Sequence, residues 1–76
     1  MEEFVEYVAK ALVDHPDEVE VKTVDGERAK VIELRVHPDD LGHVIGKHGW
    51  TVKSMRVLLS AAAAKSNCRV VLEIVE

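Results

Sequence analysis

Two glycines three residues apart, Gly46 and Gly49, interrupt an otherwise apolar and periodic part of this chain, and they limit what it can fold into. Val44-Ile45 precedes them and Trp50-Thr51-Val52 follows. The stretch reads as the end of one helix, a two-residue turn of Lys47 and His48, and the start of a second helix. A glycine at a helix C-terminus takes the left-handed backbone that stops the helix. A second glycine keeps side chains off the turn, so another backbone can approach it. The helix that starts after Gly49 points its free N–H groups and positive dipole end at that opening. Lys47 adds a full positive charge and His48 a donor. These parts suit a phosphate of an extended polymer. Glycine pairs at this spacing are common by chance; the weight comes from two flanking helical patterns that themselves lie between strand patterns.

Charge supports the same stretch. The chain of 76 residues carries a net charge of −4, which by itself argues against a nucleic-acid partner. From Gly42 to Arg69, however, stand Lys47, Lys53, Arg56, Lys65 and Arg69 with no Asp or Glu, while the rest holds all 14 acids against five bases. A local positive field steers a polyanion, and an acidic remainder weakens indiscriminate binding. A solvated helix face that lacks acids is the plainer alternative. The length predicts one small domain over 1–76, with little core to spare. No apolar run approaches the roughly 20 residues of a membrane span. The acidic N-terminus, Met1-Glu2-Glu3-Phe4, is unlike a secretory signal, and the lone Cys68 allows no intrachain disulfide, so a cytoplasmic protein is expected.

In chain order, residues 2–14 predict an amphipathic helix with a stripe of Phe4, Val8 and Leu12, Val5 and Ala11 beside it, and Tyr7 partly buried. Pro16 ends it. Residues 18–23 alternate, with Val19, Val21 and Thr23 inward, and 30–37 alternate with Ile32, Leu34 and Val36 inward. Asp25-Gly26 makes the two an antiparallel hairpin. His37-Pro38-Asp39-Asp40 opens a short helix, in which Asp39 and Asp40 complement the dipole and Leu41, Val44 and Ile45 share a face. Gly42 leaves room for a close approach. The next helix spans about 51–65 with Val52, Met55, Leu59 and Ala62 as its stripe. Val57, Leu58, Ala61 and Ala64 add more apolar surface than so small a domain can bury, which predicts a contact with another chain. Residues 69–75 form the last strand, with Val70, Leu72 and Ile74 inward.

Helix, strand, strand, helix, glycine turn, helix, strand, with Val44-Ile45-Gly46-Lys47-His48-Gly49 between the middle helices, resembles a KH domain of type II along the whole chain. Residues 6–14, 41–47 and 58–65 look more closely like the KhpA family of small bacterial single-KH-domain proteins. The resemblance implies an α+β fold, a three-stranded mixed sheet covered on one face by three helices. It also implies a cytoplasmic RNA-binding protein of chaperone or regulator type, acting as a homodimer or with a Jag-like KhpB partner. Such a domain holds about four nucleotides of single-stranded RNA over a hydrophobic floor. On that likeness Gly46 and Gly49 admit the RNA backbone, and Lys47 and His48 contact phosphate. Val44, Ile45 and Val52 line the helical side of the floor, and residues 32–36 at a strand edge line the other. Lys53 and Arg56 reach neighbouring phosphates. The sequence departs from the family at Trp50, where a basic residue is usual, and at His48, where a long polar or charged one is common. Trp50 can pack over the helix start, stack on a base, or meet a partner chain.

Other functions are less well served. No HExxH, CxxC or nucleophile elbow occurs, and His43 with His48 offers too few ligands for a metal, so neither catalysis nor a cofactor is expected. A DNA-reading helix-turn-helix wants polar side chains along its second helix; this one runs Leu58-Leu59-Ser60-Ala61-Ala62-Ala63-Ala64. A dimerisation module with a structural glycine turn is the remaining alternative.

Overall fold

The period-two and period-3.6 stretches fold into a sheet and a helical layer in the order the chain gives them. The computed structural model describes residues 1–75. Helix α1 (Glu2–Leu12) leads through a 3-10 turn (Pro16–Glu18) into strands β1 (Glu20–Asp25) and β2 (Ala29–Arg35). A second 3-10 turn (Pro38–Asp40) opens the short helix α2 (Leu41–Ile45). The glycine turn follows, then helix α3 (Trp50–Ala64) and strand β3 (Arg69–Val75). The sheet order is β1-β2-β3. β1 and β2 are antiparallel, with Thr23 opposite Ile32, and β2 and β3 are parallel, with Ile32 opposite Leu72. A parallel pair needs a crossover, and α2, the turn and α3 supply it. This is the mixed α+β arrangement of a type II KH domain.

The inward strand residues meet the helices in one core: Ile32, Leu34 and Val36 from the β2 run, Val70 and Leu72 from β3, Val44 from α2, and Val52, Met55, Leu59 and Ala63 from α3. Among the described residues, no helix is long and apolar enough to cross a membrane.

Several details differ from the sequence expectation. The face of α1 that is buried carries Val5 and Ala9, both 0% exposed, and not the Phe4–Leu12 stripe, whose ends are partly exposed. The small Ala9 lets the helix lie close to its neighbours. Tyr7 is exposed. On α3, Ala63 is buried and Ala62 exposed. Helix α1 stops at Leu12 because the backbone amides of Asp14 and His15 donate to the Asp40 carboxylate, at 3.2 and 3.0 Å, in place of helix carbonyls. Asp40 therefore does more than complement a dipole: it is buried at the seam between α2 and the α1–β1 connection, the only buried charged side chain among the described residues.

Candidate nucleic-acid interface

The glycine turn is built from three successive departures from ordinary backbone. The Gly46 amide donates to the Gly42 carbonyl at 2.9 Å, closing α2, and Gly46 then leaves at φ 78°, ψ 169°. That conformation is one glycine occupies almost alone. His48 (φ 57°) and Gly49 (φ 75°) both lie in the left-handed region. The two glycines serve different needs. A Cβ at 46 would collide with the Thr51 side chain, whereas a Cβ at 49 would find only Lys53 Cε at 3.8 Å. Gly46 is thus demanded by crowding inside the protein, and Gly49 by backbone conformation with open space above it. Lys47 and His48 are exposed on this turn, at the N-terminal end of the 15-residue α3. The Gly49 amide donates to the Gly46 carbonyl and the Trp50 amide to the Lys47 carbonyl, and the dipole of α3 adds to the charge of Lys47.

Helix α3 has two working sides beyond its buried stripe. At about 100° per residue, Trp50 and Arg56 stand about 120° apart around the axis. On the Arg56 side, α3 and β3 enclose a groove of about 360 Å³ lined by Arg56, Ser60, Ala63, Cys68, Val70 and Leu72, among others. Arg56 spans it, donating from Nη2 to the Leu72 carbonyl at 3.3 Å. The groove begins about 10 Å along α3 from Gly49. On the other side Trp50, 66% exposed, adjoins Val57 and Leu58, also exposed, and Phe4 and Val8 of α1. Lys53 Nζ lies 5.6 Å from the centre of the Trp50 ring, within cation–π reach.

The predicted site residues separate accordingly. Gly46, Lys47, His48 and Gly49 form the turn, and Lys53 stands one helical turn beyond. Ile45 is partly exposed beside the turn, while Val44 and Val52 are buried and support it from the core. Residues 32–36 do not line the groove beside α3: β2 is the central strand, paired on both sides, and Ile32, Leu34 and Val36 are buried in the core. The strand facing α3 across the groove is β3. Trp50 does not pack over the helix start, and Gly42 meets nothing within 4 Å of a would-be Cβ. Cys68 is half-buried in the groove wall. Pairing alone in a parallel β2–β3 register moves the groove to β3, and no alternation pattern carries that information.

Comparison with known proteins follows the same outline. A family model described as "KhpA/KhpB, KH domain" matches residues 2–74. The chain belongs to this family. Relatives named RNA-binding protein KhpA include one from Clostridium acetobutylicum, 51% identical over 99% of this chain and 100% of its own length. Another, from Halalkalibacterium halodurans, is 51% identical with both chains fully covered. A third, from Borreliella burgdorferi, is 45% identical over 97% of this chain and 90% of its own. No solved structure matches the chain. Within the family fold, Trp50 and His48 put less permanent charge at the turn than two basic residues would.

Proposed function

We propose that this protein binds single-stranded RNA, with the phosphate backbone on the glycine turn and about four nucleotides running into the groove between α3 and β3. The carrying observation is the turn itself: exposed Lys47 and His48 beside an open Gly49, at the N-terminus of a long helix in the acid-free part of an acidic chain. The names of the KhpA relatives, RNA-binding proteins, support the same ligand. Gly49 admits the backbone, and Lys47 and the positive end of the α3 dipole neutralise a phosphate. Lys53 and Arg56 follow along the helix, and Ile45 offers an apolar surface to a base. A binding protein of cytoplasmic, chaperone or regulator type needs no reactive group, and we assign no catalytic residue.

The second side of α3 favours a partner chain, because Trp50, Val57 and Leu58 are exposed together next to Phe4. A second copy of this chain is one partner; a KhpB protein, whose name the family model shares, is the other. Trp50 belongs with this surface by position. That apolar face also disfavours a DNA-reading helix, which needs polar groups there.

The test is fluorescence anisotropy of a pooled single-stranded RNA at low salt, with wild type compared with Lys47→Asp/His48→Asp. Circular dichroism checks that both fold. Binding lost in the folded double variant supports the reading. Equal binding, or none in either, makes the turn structural and leaves the α3 surface as the functional one.

A further inference from the structure

Three of the four histidines lie away from the glycine turn, on the seam where the α1–β1 connection meets the start of α2. Each faces a carboxylate from the opposite segment. His15 Nδ1, on the connection, is 2.9 Å from Asp40 Oδ2 at the start of α2. His43 Nε2, on α2, is 3.5 Å from Asp14 Oδ2 on the connection. His37 Nε2, just before Pro38, is 3.6 Å from Glu18 Oε2 of the 3-10 turn. The pairs therefore cross the seam in both directions. The His15 and His37 rings stack with centroids 4.1 Å apart and planes 16° from parallel. His37 Nδ1 accepts from the Asp39 amide at 3.1 Å, so that nitrogen is unprotonated, and the Asp39 carboxylate lies 3.8 Å away. Asp40, 1% exposed, takes three hydrogen bonds: the Asp14 and His15 amides and the His15 ring.

Helix α2 has five residues, too few to hold itself in place by its own hydrogen bonds. Val44 fixes its middle to the core, Asp40 fixes its start, and Gly46 opens the turn directly at its end. We propose that Asp40 and His15, with the crossed pair His43 and Asp14, are positioning residues for the glycine turn, and that protonation of the His15 imidazole against Asp40 tightens the hold on α2. The hold acts on the turn whether or not RNA is its ligand. Around His15 stand Asp40, Asp14 and Glu18 as acids and His37 as the stacked neighbour; His43 faces Asp14, and His37 faces Glu18 and Asp39. The hydrogen bond to Asp40 raises the His15 imidazole above the ordinary 6.5, against the opposing loss of hydration. Burial pushes the Asp40 carboxyl up, but the His15 bond and the two amides outweigh it and hold the group below the ordinary 3.8. The side chain of His15 is 44% exposed, so protons reach it freely.

The experiment is an NMR pH titration of the His48→Gln protein, in which the turn's own imidazole is silent. The His15 ring protons report the seam and the Gly49 amide reports the turn. The Gly49 shift is expected to move with the His15 midpoint, above pH 6.5, and to lose that component in His15→Gln/His48→Gln. A Gly49 amide that stays still across the His15 midpoint overturns the proposal, as does a shift that survives His15→Gln unchanged. The first result needs only His48→Gln, so it decides the matter even if the double variant folds poorly. No RNA is present, so failure here is distinct from failure of the RNA reading.

Discussion

His48 holds a left-handed backbone without being glycine, between two glycines that have no such difficulty. A β-branched residue tolerates that region least, so His48→Val is expected to destabilise the fold by about 1–2 kcal/mol, read from urea denaturation. The glycines separate in the same assay. Gly49→Ala should cost about 1 kcal/mol, for backbone alone. Gly46→Ala should cost about 3 kcal/mol or more, since strain and the collision with Thr51 add. Equal costs would mean that Thr51 moves aside freely. Lys47 has no ion-pair partner among the described residues, and a lysine placed on a phosphate contributes through released counterions. Lys47→Ala should therefore lower the salt slope of RNA binding, log K against log salt, by about 0.7, with unfolding unchanged. The spacing of the glycines, their flanking helices and Lys47 were legible in the sequence, because a tight turn needs particular residues locally. The reason for Gly46 was not, since Thr51 becomes its neighbour only when α3 folds back over the turn.

At the scale of an element, α3 divides three ways: a buried stripe, a groove side with Arg56 and Ser60, and an outward side with Trp50, Val57 and Leu58. The excess of apolar residues was plain in the sequence, but their division was not. Helical periodicity gives relative angles and leaves the absolute rotation to packing. That is why the stripe is shifted from Ala62 to Ala63, and on α1 from Phe4 and Leu12 to Val5 and Ala9. If the outward side meets a second copy, sedimentation equilibrium of wild type should show a dimer at high micromolar concentration. Trp50→Ser/Leu58→Ser should shift it to monomer while RNA affinity stays within about twofold, below the tenfold that 1.4 kcal/mol would bring. A monomeric wild type would assign this surface to a different chain.

For the whole molecule, the seam makes stability depend on pH in both directions. His15 has a raised value in the fold, so its contribution is fully present below the ordinary 6.5 and fades as pH rises through the folded value. Asp40 has a lowered one, so its contribution is present above the ordinary 3.8 and fades as pH falls through the folded value. Thermal unfolding midpoints should accordingly be highest between about pH 4 and 6.5, falling on either side. His15→Gln should flatten the alkaline flank. An unchanged alkaline flank would mean that His15 and Asp40 do not couple to folding.

By itself the sequence determined the element order, the inward residues of all three strands, the turn that ends α2 and the positive stretch around it. Each of these is fixed by local backbone preference or by a period read along the chain. Only the tertiary structure decided that β2 lies between β1 and β3, so that the groove faces β3 and not residues 32–36. It also decided that Asp40 is buried beneath His15, although Asp39 and Asp40 look alike in the chain. Pairing partners, helix rotation and the burial of a charge depend on contacts between residues about 25 positions apart, as with Asp40 and His15. Such contacts are set by the competition of the whole core for space, which no local pattern records.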